Sequence, residues 1–200
     1  MESEKIGEQQ VIAELEASDL SDSRRRALLS ELRQMGTERS IDVLGANLRS
    51  KDVKSQVSAV FALAHIGTEE AADALIDCLA METGPRFAFA LKSLAEDHAA
   101  RAMPAFIRTL EERYDELDPG DKQLLVYALY QTPHRSQVPA LAALLRERSR
   151  RTRRMAAVAL AQIRAPESRE ALEEAARSLS WLRGFQARRA LRSLRYVNGE

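Results

Sequence analysis

Apolar residues recur along this chain at spacings of three and four, the pattern of helices that each bury one stripe. Two such stripes lie close together in Ala62-Leu63-Ala64-His65-Ile66-Gly67, followed after a polar turn by Ala71, Ala74, Leu75, Cys78 and Leu79. The unit repeats. Thirty-one residues earlier stand Leu32, Met35, Gly36, Val43, Leu44 and Leu48, and sixty-six later Ala128, Leu129, Pro133, Ala140, Leu141, Leu144 and Leu145. Ninety-seven later come Ala159, Leu160, Ile163, Ala171 and Leu172. Another unit, Phe89-Ala90-Leu91 with Leu94 and then Ala105, Phe106, Ile107 and Leu110, joins the register once about three residues are inserted in its turn.

Each unit is predicted to be a helical hairpin. Its first helix, type A, ends near Gly36, Gly67 or Pro133, residues suited to leaving a helix. Its second, type B, opens after Thr-Glu, Glu-Asp or Pro-Glu, where acidic side chains favour a helix start. One hairpin cannot bury both stripes alone, so neighbours must stack into a continuous core. The expected fold is all-α, an α-solenoid (superhelix) of about five hairpins in a single domain over residues 1–200. The hairpins are expected at 21–49, 52–81, 84–117, 121–148 and 151–179, flanked by a lone B-type helix at 5–17 and a lone A-type helix at 181–196. The acidic run 111–121 is expected to prolong the third B helix until Pro119-Gly120 stops it.

The pattern Asp52…Ala59-Val60-x-Ala62-Leu63-x-x-Ile66-Gly67-x-x-x-Ala71-x-x-x-Leu75-x-x-x-Leu79 resembles a HEAT repeat of the short variety called PBS-lyase HEAT-like. Units of that family have a form such as Asp-x-x-Val-Arg-Arg-Ala-Ala-x-Ala-Leu-Gly. Arg25-Arg26 and Arg153-Arg154 stand where its Arg-Arg pair belongs, whereas the second unit has Gln56-Val57 and the third has Pro85. The resemblance covers nearly the whole chain and implies the solenoid. Because such repeats serve in scaffolds, adaptors, bilin lyases and DNA-repair enzymes, it leaves activity open.

Composition sharpens this picture in two ways. Hydrophobic residues make up 45% of the chain and aromatic ones only 5%, so the core must be built from Ala, Leu, Val and Ile. Basic and acidic side chains balance at 30 each, which excludes a strongly charged nucleic-acid wrapper. The balance conceals a gradient: 16 basic face 24 acidic residues up to position 145, and 14 face 6 beyond it. The single cysteine, Cys78, repeats a core leucine position and cannot form an intramolecular bridge. With neither a signal-like start nor an apolar run long enough for a bilayer, a cytoplasmic protein without a membrane partner is expected.

Candidate chemistry is sparse except for arginine. His65, His98 and His134 belong to different repeats, too far apart for zinc ligands at about 2 Å. No phosphate-binding glycine loop or Gly-x-Ser-x-Gly occurs, so no catalytic residue, metal or cofactor is expected. The run 146–154 places Arg146, Arg148, Arg150, Arg151, Arg153 and Arg154 across a helix end and the next helix start. A helix start disfavours cations, so stability alone does not select Arg150 and Arg151. Arg188, Arg189 and Arg192 continue the basic character, and Trp181, four residues before Phe185, adds aromatic area.

These residues are the expected partner-binding set of a non-catalytic protein-interaction scaffold or adaptor, its partner a protein with an acidic surface. The B-helix groove is the other expected binding face. A nucleic-acid binder with a glycosylase-like groove ranks second and a lyase-type enzyme subunit third. The glutamates of the first helix, Glu2, Glu4, Glu8, Glu14 and Glu16, are expected to cap one end by charge. Opposite in sign to the arginine-rich end, they also predict weak head-to-tail self-association that salt opposes.

Overall fold

The computed structural model describes residues 2–17, 20–80, 84–178 and 184–198, in which twelve α-helices and no strand occur. The first is B-type, α1 (Glu2–Glu16). A-type helices are α2 (Asp22–Met35), α4 (Val53–Ile66), α6 (Pro85–Asp97), α8 (Pro119–Gln131), α10 (Arg150–Ile163) and α12 (Phe185–Asn198). Between them lie the B-type helices α3 (Ile41–Asn47), α5 (Glu69–Leu79), α7 (Ala99–Arg113), α9 (Val138–Leu144) and α11 (Pro166–Ser178). The chain forms two compact units, Met1–Ala105 and Phe106–Glu200.

In the first unit α2, α4 and α6 lie side by side as an A layer, with α1, α3 and α5 forming a B layer against it. The apolar stripes meet between the layers. Leu28, Leu29, Leu32, Leu44, Leu63, Leu75 and Leu79 are almost wholly buried, each stabilising by about 1.5–3 kcal/mol relative to exposure. Helix starts are capped where the repeat predicts: Asp52 accepts from the Ser55 amide at 3.0 Å, and Thr68 from the Ala71 amide at 3.3 Å. Two glycines end helices differently. Gly67 takes the left-handed conformation at φ 66°, whereas Gly36 leaves α2 extended and is required by crowding, since a Cβ there would lie 2.4 Å from the Leu32 carbonyl oxygen.

In the second unit α8, α10 and α12 form the A layer, with α9 and α11 beneath. Phe106, Leu125, Leu129, Leu141, Leu160 and Leu172 are fully enclosed. The short B helices α3 and α9 each begin with a 3-10 turn, Glu38–Ser40 and Arg135–Gln137.

Three expectations need correction. The residues inserted in the third hairpin do not lengthen its turn. They form an extra turn at the end of α6, which runs to Asp97, and α7 then begins at Ala99 and contains Pro104. Pro119-Gly120 does not stop a helix but opens α8, with Asp118 as N-cap accepting from Gly120 and Asp121. The overrun itself is there, as the 3-10 turn Tyr114–Glu116 and the buried Leu117. Third, Glu8 is no surface cap. It is buried, and the Thr37 amide, the Thr37 hydroxyl and the Ser40 hydroxyl all donate to its carboxylate at 2.6–3.1 Å.

Candidate partner-binding surface

Charge is sorted by layer. In the first unit the B helices are acidic: α1 has five glutamates and one lysine, and α5 four acidic residues and no basic one. In the second unit α10 and α12 each carry four arginines and no acidic residue, while α11 carries four glutamates and two arginines. Neither half-chain charge nor any single motif displays this sorting, because A and B helices alternate along the sequence.

The arginines of the second unit divide by what their guanidinium groups do. Arg153 is 8% exposed and donates to the carbonyls of Glu147 and Arg148 at 2.6 and 2.7 Å, tying the loop before α10 to that helix. Gln56 does the same in the first unit, donating to the Ser50 carbonyl at 2.6 Å. Arg188 donates to the Ala176 carbonyl at 2.8 Å near the end of α11. Arg146 pairs with Glu174 across the B layer at 2.5 Å, an exposed contact worth little. These three are engaged within the unit and do not offer a partner a free cation.

Arg148, Arg150, Arg151, Arg154, Arg189 and Arg192 are different. All six side chains are exposed or nearly so, and among the described residues no hydrogen bond or ion pair engages their guanidinium groups. Arg150 and Arg151 occupy the first turn of α10, which has no acidic residue, behind the N-cap Ser149. The helix dipole opposes each by roughly 0.3–1 kcal/mol. Trp181 lies outside the described residues. Phe185 is 38% exposed at the start of α12, and Tyr127 is 47% exposed on the A-layer helix α8, on the far side of α10.

One residue of this surface is missed by sequence reasoning. Arg164 ends α10 in the left-handed conformation, φ 54° and ψ 20°, the only such non-glycine among the described residues. It occupies the register position that Gly67 fills in the first unit, so aligning the repeats one residue further exposes it. Beside it, between α10 and α12, lies a cleft of about 520 Å³ lined by Val158, Ala161, Gln162, Ala190, Ser193 and Leu194.

Elsewhere the titratable groups are dispersed. Burial pushes the Cys78 thiol up to about 11, and Arg86 opposes this only in part, so the thiol stays protonated and unreactive. Among the described residues no group of three His, Cys, Asp or Glu is placed to hold a metal ion. No described helix is long and apolar enough to cross a membrane.

The HEAT repeats family matches residues 107–192 and the PBS lyase HEAT-like repeat family residues 55–80. The chain is a HEAT-repeat protein. Among solved structures, a computationally designed armadillo repeat protein for modular peptide recognition is 18% identical with a TM-score of 0.53, over 92% of this chain and 98% of the other. Another designed armadillo repeat protein is also 18% identical, with a TM-score of 0.51 over the same shares. The CpcE–CpcF complex of phycocyanin lyase from Nostoc sp. is 21% identical with a TM-score of 0.48, over 95% of this chain and 83% of that one. These likenesses concern the HEAT-type fold alone. Among curated proteins none matches the HEAT-repeat chain.

Proposed function

We propose that this HEAT-repeat chain is a non-catalytic protein-interaction scaffold or adaptor that binds an acidic partner protein through its arginine-rich C-terminal end, its B-helix layer or both. One observation carries the reading. Arg150 and Arg151 stand where a helix start disfavours them, and no carboxylate of the described residues compensates them. A feature that costs stability and serves no internal bond is suited to an external anion. The fold agrees with such a role, since a designed armadillo protein for modular peptide recognition is built on a similar array. A duplex on the B helices of either unit fits poorly, because α1 and α5 in the first and α11 in the second would set carboxylates against phosphates.

The test is co-purification of the tagged chain from its native cell, alongside the double variant Arg150→Glu, Arg151→Glu. A protein retained by the wild type and lost by a variant that melts at the same or a slightly higher temperature is the expected outcome. A clear fall in melting temperature would assign these arginines to holding the repeats together. Retention of nuclease-sensitive material in place of protein would shift the reading to nucleic acid.

A further inference from the structure

The cleft between α10 and α12 combines three features. Its floor is aliphatic, formed by Val158, Ala161, Ala190 and Leu194. Its rim is cationic: Arg154 lies one turn before Val158 on α10, Arg189 lies one turn before Ser193 on α12, and Arg164 closes one end. Neither helix carries a carboxylate that could neutralise that rim. Moreover, Arg164 is held left-handed, which costs about 1 kcal/mol relative to the glycine used at Gly67, and its guanidinium makes no bond among the described residues.

We propose that this cleft docks an acidic protein segment, seating an aliphatic side chain of the segment on the Val158–Ala161–Ala190–Leu194 floor while the flanking arginines take its carboxylates. The proposal rests on the scaffold reading and names the surface and the chemistry of its partner. Guanidinium groups favour this assignment because their planar forks match carboxylates two bonds at a time. The floor decides between classes of polyanion. Single-stranded nucleic acid is held by aromatic platforms under its bases, and among the described residues the lining of this cleft contains no aromatic side chain. An acidic segment with leucine, isoleucine or valine satisfies both the floor and the rim.

Fluorescence anisotropy with the full chain at physiological salt tests this with three labelled probes of equal charge. They are a short peptide of glutamates interrupted by leucines, a glutamate-only peptide and a single-stranded oligonucleotide. The leucine-containing peptide is expected to bind about tenfold tighter than either control. The double variant Arg154→Glu, Arg189→Glu should lose that binding by at least about tenfold with its circular dichroism unchanged. Ala161→Phe, which fills the floor and spares the charges, should erase the preference for leucine and leave the glutamate-only peptide unaffected. Equal binding of the two peptides, tighter binding of the oligonucleotide, or full binding by the folded reversal variant would each overturn the proposal. If the peptide preference is missing while Arg150→Glu, Arg151→Glu still strips the native partner, the cleft assignment falls and the scaffold reading stands. If the preference is present and no native protein is retained, the cleft is upheld and the scaffold reading falls.

Discussion

Each compact unit buries one carboxylate among its described residues, and the two behave in opposite ways. Glu8 in the first unit and Asp121 in the second are 2% and 4% exposed. Burial raises the pKa of both. At Glu8 it is outweighed by the hydrogen bonds from Ser40 and Thr37, with Arg39 adding attraction, so the group stays below its ordinary range. At Asp121 burial is reinforced by the neighbouring Asp118 carboxylate, Oδ2 finds no partner among the described residues, and the pKa is pushed up to about 6. Depth alone therefore does not set the state of a buried acid; the number of donors aimed at it does. The register makes the contrast sharper. Asp121 stands where other repeats have Ser55 and Thr152, and Ser55 donates its hydroxyl to the N-cap Asp52 at 2.8 Å, a bond that an ionised Asp121 cannot make to Asp118.

Replacing one buried leucine in each unit gives the baseline for this comparison. Leu63→Ala and Leu160→Ala should each cost about 2–5 kcal/mol in chemical denaturation, while Asp73→Ala, which removes only an exposed pair with Arg101, should cost little. Comparable losses at the leucines and at Asp73 would break the assigned register.

Glu8→Ala should cost about 2–4 kcal/mol at neutral pH, because it strands the donors of Thr37 and Ser40 and releases α1. The folded pKa of Glu8 lies below its unfolded value. Its contribution is therefore complete above the unfolded pKa and disappears as pH falls through the folded one, so the gap between wild type and variant should close in acid.

Asp121→Ser should act the other way and stabilise the second unit by about 2–3 kcal/mol at pH 8. The folded pKa here lies above the unfolded one. Stability from the protonated form is complete below the unfolded value and is lost as pH rises through about 6, a loss the serine variant should not show. A wild type whose melting temperature is flat between pH 4 and pH 8 at this site, against the variant, would remove the argument.

The smallest effect concerns the helix ends. Arg164→Gly should gain, and Gly67→Arg lose, about 1 kcal/mol in thermal denaturation, since both positions need the left-handed conformation. Equal and negligible changes would mean that arginine pays nothing for that conformation here.

The repeat, the all-helical class, most helix boundaries and the buried leucines were legible in the sequence, because each follows from local spacing of apolar residues and from cap residues next to them. The arginine run 146–154 was legible too, and so was the oddity of Arg150 and Arg151, which depends only on their place at a helix start. What those arginines do was not. Arg153 and Arg154 are adjacent in sequence, yet one is buried against carbonyls and the other faces solvent, a difference set by helix azimuth and by the path of the preceding loop. The same holds for Glu8, read as a surface charge and found inside, since its donors come from Thr37 and Ser40, far along the chain. The sorting of charge into layers and the cleft between α10 and α12 exist only once alternate helices stack side by side. Spacing along one helix chooses which side faces inward. Which charges then share a surface, and whether a buried acid meets donors or another acid, depends on helices distant in sequence being brought together.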